Sequence, residues 1–173
     1  MESFLHKLKD ITTFIFDVDG VLTDGSVYVM ENGEQARQFN IKDGYAIQLA
    51  VKCGYNVCAI SGSRSKISIH RLNSLGVKDV YIGAHTKSEN FRLYLESKHV
   101  LPASVLFMGD DIPDLEVMRM AGLAVCPADA AEEIKAISVY VSPNPGGRGA
   151  VRDVIEKVLK VQGKWMSEEA YSW

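Results

Sequence analysis

Cysteine is scarce in this sequence: its 173 residues include three, and no two of them form a CxxC pair. Cys53, Cys58 and Cys126 each lie among mostly apolar residues. An odd number of cysteines without metal-ligand spacing argues against a disulfide framework and against a zinc site. We therefore expect three small core residues in a protein of a reducing compartment.

Long apolar runs and basic stripes are lacking as well. The run ITTFIF near the N-terminus is ended by Asp17 and Asp19, which leaves it far too short for a membrane span or a signal peptide. The net charge is -3, and lysine and arginine are scattered, without the cluster that nucleic-acid binders use to neutralise phosphates. These features predict a cytoplasmic protein with neither a membrane nor a nucleic acid as its partner.

An apolar content of 47% is enough for one hydrophobic core, and short apolar runs alternate with segments of helical periodicity. The runs typical of buried parallel strands are TTFIF, NVCAI, DVYI, SVLFM, LAVC and SVYV. The segments with helical spacing are 43–53, 64–75, 87–98, 112–120, 130–136 and 149–161. This alternation predicts a doubly wound α/β fold with a mainly parallel sheet, in one domain over residues 1–163 followed by a tail over 164–173.

A β-hairpin interrupts the alternation at about residues 26–41. The stretch SVYVM is followed by Asn32-Gly33, a pair typical of a type I′ turn, and by a second strand-like stretch that ends in Phe39. An isolated two-stranded hairpin is marginally stable in water, so it needs a surface to pack on. We expect it to protrude and to form a subunit interface.

Two carboxylates follow the first predicted strand in FDVDG at 16–20. Asp17 and Asp19 are two residues apart, and strand geometry would place both side chains on one side of the sheet. A divalent cation such as Mg²⁺ would offset their repulsion. One carboxylate could then attack a phosphoryl group while the other transfers protons, and Gly20 would allow a sharp turn. The alternative is that both acids merely end a strand and solvate a loop.

A second acidic cluster, GDDIPD at 109–114, follows the predicted strand SVLFM. Asp110 and Asp111 come at the strand end, and Asp114 comes one turn into the next helix. A cap at the helix N-terminus would explain one carboxylate, since the helix dipole favours negative charge there. Three within six residues favour a metal site, in which Asp110 joins Asp17 and Asp19 and in which Asp111 or Asp114 is a further or indirect ligand.

Ser61 and Lys87 are candidates for holding a phosphate. Ser61 ends the strand NVCAI before a small turn, where a hydroxyl and backbone N–H groups can bind phosphate oxygens, although Ser and Gly also fill ordinary turns. Lys87 opens a predicted helix, where a cation is unfavourable unless it offsets nearby negative charge. An exposed lysine without a role is the alternative.

In combination, FDVDG at 16–20, Ser61, Lys87 and GDDIPD at 109–114 resemble the four ordered motifs of the haloacid dehalogenase superfamily of phosphotransferases. The resemblance implies a phosphatase with an aspartyl-phosphate intermediate on Asp17, which is also a Mg²⁺ ligand. It implies that Asp19 is the general acid/base and binds Mg²⁺ through its carbonyl, and that Asp110 is the third protein ligand. Ser61 and Lys87 would hold the transferred phosphoryl group.

The segments between these motifs are too short for a cap domain, so we expect an open site. Within the superfamily, the runs DVDGVLTDG, NIKDGYAI and GGRGAVRD resemble the capless 3-deoxy-D-manno-octulosonate (KDO) 8-phosphate phosphatases and their relatives that act on nonulosonate 9-phosphates. This resemblance implies a phosphorylated sugar acid as substrate and a role in lipopolysaccharide biosynthesis. It also implies a homotetramer whose hairpins meet at its centre and in which a neighbouring subunit covers each site.

The same resemblance implies which residues bind the substrate. Arg71 would reach the carboxylate of the sugar acid from an adjacent subunit. Ser63 and Gln48 stand where many octulosonate phosphatases have arginine, and Arg64 follows Ser63. The complete predicted substrate set is Asn40, Ile41, Lys42, Asp43, Gly44, Gln48, Gly62, Ser63, Arg64 and Arg71.

Two functions other than a phosphatase fit parts of the pattern. A bacterial receiver domain is also doubly wound and is phosphorylated on an aspartate near a lysine. It stores the phosphoryl group, however, and needs no proton-transferring carboxylate such as Asp19. The other alternative is a phosphatase fold retained as an interaction partner, in which the chemical positions need not be filled.

Overall fold

The computed structural model describes residues 4–172, which form a six-stranded sheet with helices on both faces and a separate hairpin. The strands are β1 Thr13–Phe16, β2 Tyr28–Val29, β3 Gln35–Ala36, β4 Asn56–Ile60, β5 Asp79–Tyr81, β6 Val105–Met108, β7 Leu123–Cys126 and β8 Tyr140–Val141. The α-helices are α1 Phe4–Lys7, α2 Ile41–Lys52, α3 Ile67–Ser74, α4 Lys87–Lys98, α5 Leu115–Met120, α6 Glu132–Ile137 and α7 Ala150–Val161. Single 3-10 turns cover Leu8–Asp10, Pro102–Ser104, Ile112–Asp114 and Glu168–Tyr171.

The sheet has the strand order β5-β4-β1-β6-β7-β8, and every neighbouring pair is parallel. The order reverses at β1, which pairs with β4 on one side and with β6 on the other. In doubly wound sheets, ligands bind at the carboxyl ends of the strands beside such a reversal. The predicted α/β fold is confirmed, and each predicted strand and helix has a counterpart in the structure.

Two hydrophobic cores lie on opposite faces of the sheet. Phe14 and Phe16 of β1 pack with α2, α3 and α7, whereas Ile15 between them packs with α4, α5 and α6. Successive strand residues point to opposite faces, so a continuous apolar run is the pattern of a strand covered on both sides. Burying a side chain of this size contributes about 2 kcal/mol relative to leaving it exposed.

The hairpin differs from the predicted type I′ turn. Met30 N–H donates to the Glu34 carbonyl and Gly33 N–H donates to the Met30 carbonyl, both at 2.9 Å, so the loop has three residues rather than two. Gly33 has a φ of 81°, whereas Asn32 does not have the positive φ that type I′ requires. The Asn32 side chain instead accepts the Glu34 N–H at 3.0 Å, which stabilises a type I turn followed by a glycine bulge.

The chain after α7 returns to pack on α2. The Tyr45 hydroxyl donates to the Ala170 carbonyl at 2.6 Å, and Lys52 Nζ donates to the Ser172 carbonyl at 2.7 Å. The Trp165 ring lies 6.2 Å from the Tyr45 ring in an edge contact. Residues 164–172 are thus held against their own chain, and the predicted domain limit at residue 163 stays a prediction.

The two positions where a cap domain could be inserted are short. Between Asp19 and Ser61 the described chain forms only the hairpin and α2, and between Ser61 and Lys87 only α3 and β5. Residues 4–172 therefore contain no cap domain above the carboxyl edge of the sheet. Over the same residues, none of the helices is long and apolar enough to cross a membrane.

Candidate active site

A cavity of about 240 Å³ lies where β1, β4 and β6 end. It brings together all four sequence motifs, although they are spread over nearly one hundred residues of the chain. The residues that line it are Asp17, Asp19, Ser61, Gly62, Ser63, Lys87, Asp110, Asp111, Pro113 and Asp114. Carboxylates dominate this set, so its chemistry depends on how their charge is balanced.

Asp17 is the residue that directly follows β1. Its N–H donates to the Met108 carbonyl on β6 at 3.0 Å, and its side chain is buried. Burial and then the negative charge of Asp114 raise the pKa of Asp17 to about 6, against the opposing effect of Lys87. Ionisation of Asp17 at neutral pH therefore depends on the positive charge placed around this carboxylate.

Lys87 supplies part of that positive charge. It is the first residue of α4, and its buried Nζ lies 2.8 Å from Asp17 Oδ1 and 2.7 Å from Asp114 Oδ1. Burial acts to lower the pKa of Lys87, but the two carboxylates raise it above its ordinary value, so the side chain stays a cation. These two ion pairs offset the unfavourable position of a cation at a helix N-terminus.

Three carboxylates converge on one point of the cavity. Asp17, Asp110 and Asp114 each offer an oxygen within 4.8 Å of the other two. Asp110 Oδ1 is buried without a hydrogen-bond partner, and burial, followed by Asp17 and Asp114, raises the pKa of Asp110 to about 8. A buried acceptor without a partner beside other carboxylates fits a hard divalent cation such as Mg²⁺, which binds oxygen ligands.

The remaining acids of the second cluster already have partners. Asp114 Oδ1 accepts from Lys87, and Asp114 Oδ2 accepts the Asp110 N–H at 3.1 Å. Asp111 is exposed, and its Oδ1 accepts the Ile112 N–H at 2.8 Å as a cap of the following turn. Asp114 is thus suited to holding Lys87 and Asp110 in place, while direct metal ligation by Asp111 or Asp114 stays a prediction.

Asp19 lies at the mouth of the cavity, and its side chain is about one-third exposed. Strand β1 ends at Phe16, so the common direction of Asp17 and Asp19 comes from the turn that follows and not from strand alternation. In this turn the N–H groups of Leu22 and Thr23 donate to the Val18 carbonyl. Both carboxylates therefore reach the same cavity, one buried and one partly open to water.

Ser61 directly follows β4 and is buried. Its N–H donates to the Tyr81 carbonyl at 2.8 Å, and its hydroxyl oxygen accepts the Ser63 N–H at 3.1 Å. Helix α3 begins only at Ile67, later than the predicted 64, so the serine turn does not run straight into a helix. The Ser61 hydroxyl lines the same cavity as Lys87 and is the group available for a phosphate oxygen.

Glycine permits the close approach of the two acidic motifs. Gly20 has a φ of 91°, and a Cβ at this position would collide with the Asp110 carboxylate. The loop at 142–149 packs on the same turn, because Gly147 N–H donates to the Val21 carbonyl at 2.8 Å and a Cβ on Gly146 would collide with the Gly20 carbonyl. The last loop of the sheet thus supports the turn that carries Asp17 and Asp19.

Comparison with known proteins agrees with this geometry. The sequence model of a protein family, described as haloacid dehalogenase-like hydrolase, matches residues 66–155. The 3-deoxy-D-manno-octulosonate 8-phosphate phosphatase of Escherichia coli (strain K12) is 40% identical over 160 residues, which are 92% of this chain and 85% of the relative. The chain belongs to the haloacid dehalogenase-like hydrolase family.

Solved structures of haloacid dehalogenase-like phosphatases superpose closely on this one. The KDO 8-phosphate phosphatase from Yersinia pestis has a TM-score of 0.92 and 36% identity, and the match covers 94% of this chain and 88% of that one. The enzyme from Moraxella catarrhalis, solved with magnesium, phosphate and KDO, has a TM-score of 0.89 and 31% identity over 92% of this chain and 91% of that one. The predicted family and phosphomonoester hydrolase class are confirmed, which excludes the receiver interpretation.

The predicted substrate residues of this haloacid dehalogenase-like chain divide into two groups. Gly62 and Ser63 line the cavity. Arg64 is exposed, and its Nη2 lies 3.3 Å from His85 Nε2. The others are not among the residues that line the cavity within one chain: Asn40, Ile41, Lys42, Asp43, Gly44, Gln48 and Arg71.

Two members of the second group stabilise the scaffold. Asn40 caps α2, since its Oδ1 accepts the Lys42 N–H at 2.8 Å. The buried Asp43 carboxylate accepts the N–H groups of Gly149 and Arg152, at 3.1 and 2.8 Å, and so caps α7. Burial raises the pKa of Asp43, while these two hydrogen bonds lower it. The substrate roles of this group stay predictions.

Sequence reasoning missed Arg37. This residue follows β3 of the hairpin, and its guanidinium contacts Asp19 and Ser63, two residues that line the cavity. The sequence held only an indirect signal for this residue. The predicted hairpin begins directly after DVDGVLTDG, and Arg37 is the one arginine in the hairpin. The sequence does not say whether such a side chain turns toward the site or away from it.

Cation binding should depend on Gly20. Gly20→Ala should weaken Mg²⁺ affinity by at least about tenfold, because the new methyl group displaces the Asp110 carboxylate. Gly54→Ala is the matched control: Gly54 has a φ of 84° with nothing within 4 Å of a Cβ, so it adds backbone strain of about 1 kcal/mol alone. Titration calorimetry measures both. Equal affinity in the two variants would contradict this role of Gly20.

Mg²⁺ affinity should rise with pH between 6 and 8, the interval between the two raised pKa values. Below pH 6, the carboxyl groups of Asp17 and Asp110 hold protons that a cation must displace. Above pH 8, both groups are ionised. We expect affinity at least about tenfold tighter at pH 8 than at pH 6, with proton release seen by calorimetry in buffers of different ionisation enthalpy. Asp110→Asn, which removes one titrating group, should flatten the pH dependence. A pH-independent affinity in the wild type argues against a proton-holding cluster.

Proposed function

We propose that this protein hydrolyses the phosphomonoester of a phosphorylated sugar acid, with KDO 8-phosphate as substrate and Mg²⁺ as cofactor. One observation carries the proposal: Asp17, Asp19, Ser61 and Lys87 face one cavity beside an Asp110 oxygen that has no hydrogen-bond partner. A single chain would thus provide the nucleophile, the acid/base, the phosphate-holding groups and the metal ligands.

The residues support a two-step reaction. An Asp17 oxygen attacks the phosphorus, the bond to the sugar oxygen breaks, and Asp19 donates a proton to that oxygen. Water then attacks the phosphorus of the aspartyl-phosphate, Asp19 takes a proton from this water, and Asp17 leaves as a carboxylate. The Ser61 hydroxyl and Lys87 hold the phosphoryl oxygens through both steps.

The cation would bind directly to Asp17, Asp110 and the backbone carbonyl of Asp19. Asp114 and Asp111 would not contact it directly. Mg²⁺, when bound, supplies positive charge to the acidic cluster and to the phosphoryl oxygens. The hydrogen bonds that Asp114 makes with Lys87 and with the Asp110 N–H support this division of roles.

Similarity to named enzymes supports the choice of substrate. The Escherichia coli relative is named as a KDO 8-phosphate phosphatase, and the Moraxella catarrhalis structure holds KDO. Ser63 and Gln48 stand where the family resemblance leads us to expect arginines, so a nonulosonate 9-phosphate is the alternative substrate. Because the site lacks a cap, the remaining substrate contacts would come from an adjacent subunit, with Arg71 reaching the sugar-acid carboxylate.

The proposal includes a homotetramer assembled through the hairpin. Tyr28 is 63% exposed, Val29 69% and Met30 48%. These residues form β2 and the position after it, and they expose a large apolar area on a hairpin whose strands have two residues each. A hairpin of this size is marginal unless its apolar side chains are covered. A cytoplasmic location, with a role in lipopolysaccharide biosynthesis, completes the proposal, and the free thiols of all three cysteines agree with a reducing compartment.

Removal of the nucleophile should abolish activity. In a Mg²⁺-supplemented phosphate-release assay with KDO 8-phosphate, nonulosonate 9-phosphates and hexose phosphates, Asp17→Asn should lower every rate by at least about 1,000-fold. Asp10→Asn, a change at an exposed carboxylate, is the control and should retain full activity. KDO 8-phosphate should be the fastest substrate of the wild type.

Two results would count against the proposal in different ways. Normal turnover by Asp17→Asn would refute the aspartyl-phosphate mechanism. Comparable weak rates of the wild type on all phosphates would refute the substrate assignment while leaving the hydrolase class intact.

The hairpin should control assembly. The double variant Tyr28→Ser/Val29→Ser should shift the mass measured by size-exclusion chromatography with light scattering from a tetramer to smaller species, because it removes the apolar contact area. Leu93→Ser, a change at a residue of α4 that is 54% exposed, serves as the control and should leave the mass unchanged. An unchanged mass in the double variant would place the interface elsewhere.

A further inference from the structure

Arg37 links two parts of the site that are distant in sequence. Its Nε donates to Asp19 Oδ1 at 2.5 Å, and its Nη2 donates to Ser63 Oγ at 3.1 Å. The residue follows β3 of the hairpin, and its side chain is only 5% exposed. Through this side chain the hairpin contacts both the turn after β1 and the turn after β4.

Structural stability alone gives a poor reason for this arrangement. A buried charge loses its hydration, and apolar side chains of similar volume often stabilise a protein as well as a buried ion pair does. Arg37 Nη1 is buried without a hydrogen-bond partner, and Asp19 is about one-third exposed, so the pair is neither fully satisfied nor fully sheltered. What the guanidinium provides is two directed hydrogen bonds at fixed geometry.

We propose that Arg37 is a positioning residue for the reaction: it holds the Asp19 carboxylate in the orientation for proton transfer and fixes it relative to the Ser63 turn. The inference rests on the proposed function, in which Asp19 is the general acid/base. A guanidinium keeps its own proton, so Arg37 acts through Asp19 and does not itself serve as the acid.

Proton transfer needs this kind of restraint. A catalytic carboxylate must lie within about 3 Å of the oxygen it protonates, and a partly exposed aspartate after a strand can otherwise rotate into water. One Asp19 oxygen is held by Arg37, which leaves the other for the substrate. Ser63 ties the same guanidinium to the turn that begins with Ser61, so the acid/base and the phosphate-holding groups keep one mutual geometry.

The two cations of the site serve different carboxylates. Lys87 pairs with Asp17 and Asp114, whereas Arg37 pairs with Asp19. The charge that steadies the nucleophile is therefore separate from the charge that orients the acid/base. A substitution at Arg37 should impair proton transfer while leaving attack by Asp17 largely intact.

Leaving groups that differ in their need for a proton test the inference. Arg37→Gln should lower steady-state kcat on the sugar phosphate that the wild type hydrolyses fastest by about 100-fold, with KM within about threefold. In single turnovers of 4-nitrophenyl phosphate, whose leaving group departs without protonation, nitrophenolate release followed by absorbance should stay within about threefold of the wild type. Arg37→Lys keeps the positive charge but cannot make the two directed hydrogen bonds of a guanidinium. Its kcat should be about tenfold higher than that of Arg37→Gln and still below that of the wild type.

Arg92→Gln, at an arginine of α4 whose side chain is 58% exposed, is the control and should match the wild type with both substrates. The inference is overturned if Arg37→Gln keeps its turnover of the sugar phosphate within about twofold of the wild type. It is also overturned if the rates on the two substrates fall by the same factor, which is the result of a purely structural role. Should Arg37→Gln fail to fold, the same two comparisons are made with Arg37→Lys. A wild type inactive on both substrates would overturn the proposed function together with this inference.

Discussion

One buried ammonium group offsets the negative charge of the carboxylates at the carboxyl edge of the sheet. Lys87 Nζ lies between Asp17 and Asp114, and the second oxygen of Asp114 accepts the Asp110 N–H. A single cation thereby links the end of β1, the start of α4 and the turn after β6. Removing one partner of such a buried pair costs about 3–5 kcal/mol, because it leaves a charge without compensation. The residues that would carry out the chemistry are therefore also part of what holds the carboxyl edge of the sheet together.

Even with Lys87 in place, negative charge remains in excess. The pKa values of Asp17 and Asp110 are raised by burial and by their carboxylate neighbours, which means that the folded chain holds these groups together at an energetic disadvantage. A divalent cation bound to this cluster would offset the repulsion between its carboxylates. The close approach of Gly20 to Asp110, and of the loop at 142–149 to Gly20, shows how tightly the backbone confines the acidic groups.

Local sequence patterns were enough for the sheet and for the acidic motifs. Apolar runs and helical spacing depend on burial within one element, so they predicted a doubly wound, mainly parallel sheet. Residues at strand ends, such as Asp17 and Ser61, met at one edge as parallel strands require. Contacts between distant segments left no such pattern. The type of turn at Asn32, the capping of α7 by Asp43 and the inward direction of Arg37 are all set by packing, which local periodicity does not encode.

The glycine bulge of the hairpin has a consequence that reaches well beyond the turn. Gly33 is exposed, with nothing within 4 Å of a Cβ, and it lies four residues before Arg37. Arg37 directly follows β3, where Ala36 pairs with Tyr28. A change of loop length that shifted this pairing by one residue would therefore displace Arg37 from Asp19. The length of a solvent-facing loop therefore helps to fix where Arg37 lies. An insertion that shifted the strand pairing would leave the buried core unchanged and still separate the hairpin from Asp19 and Ser63.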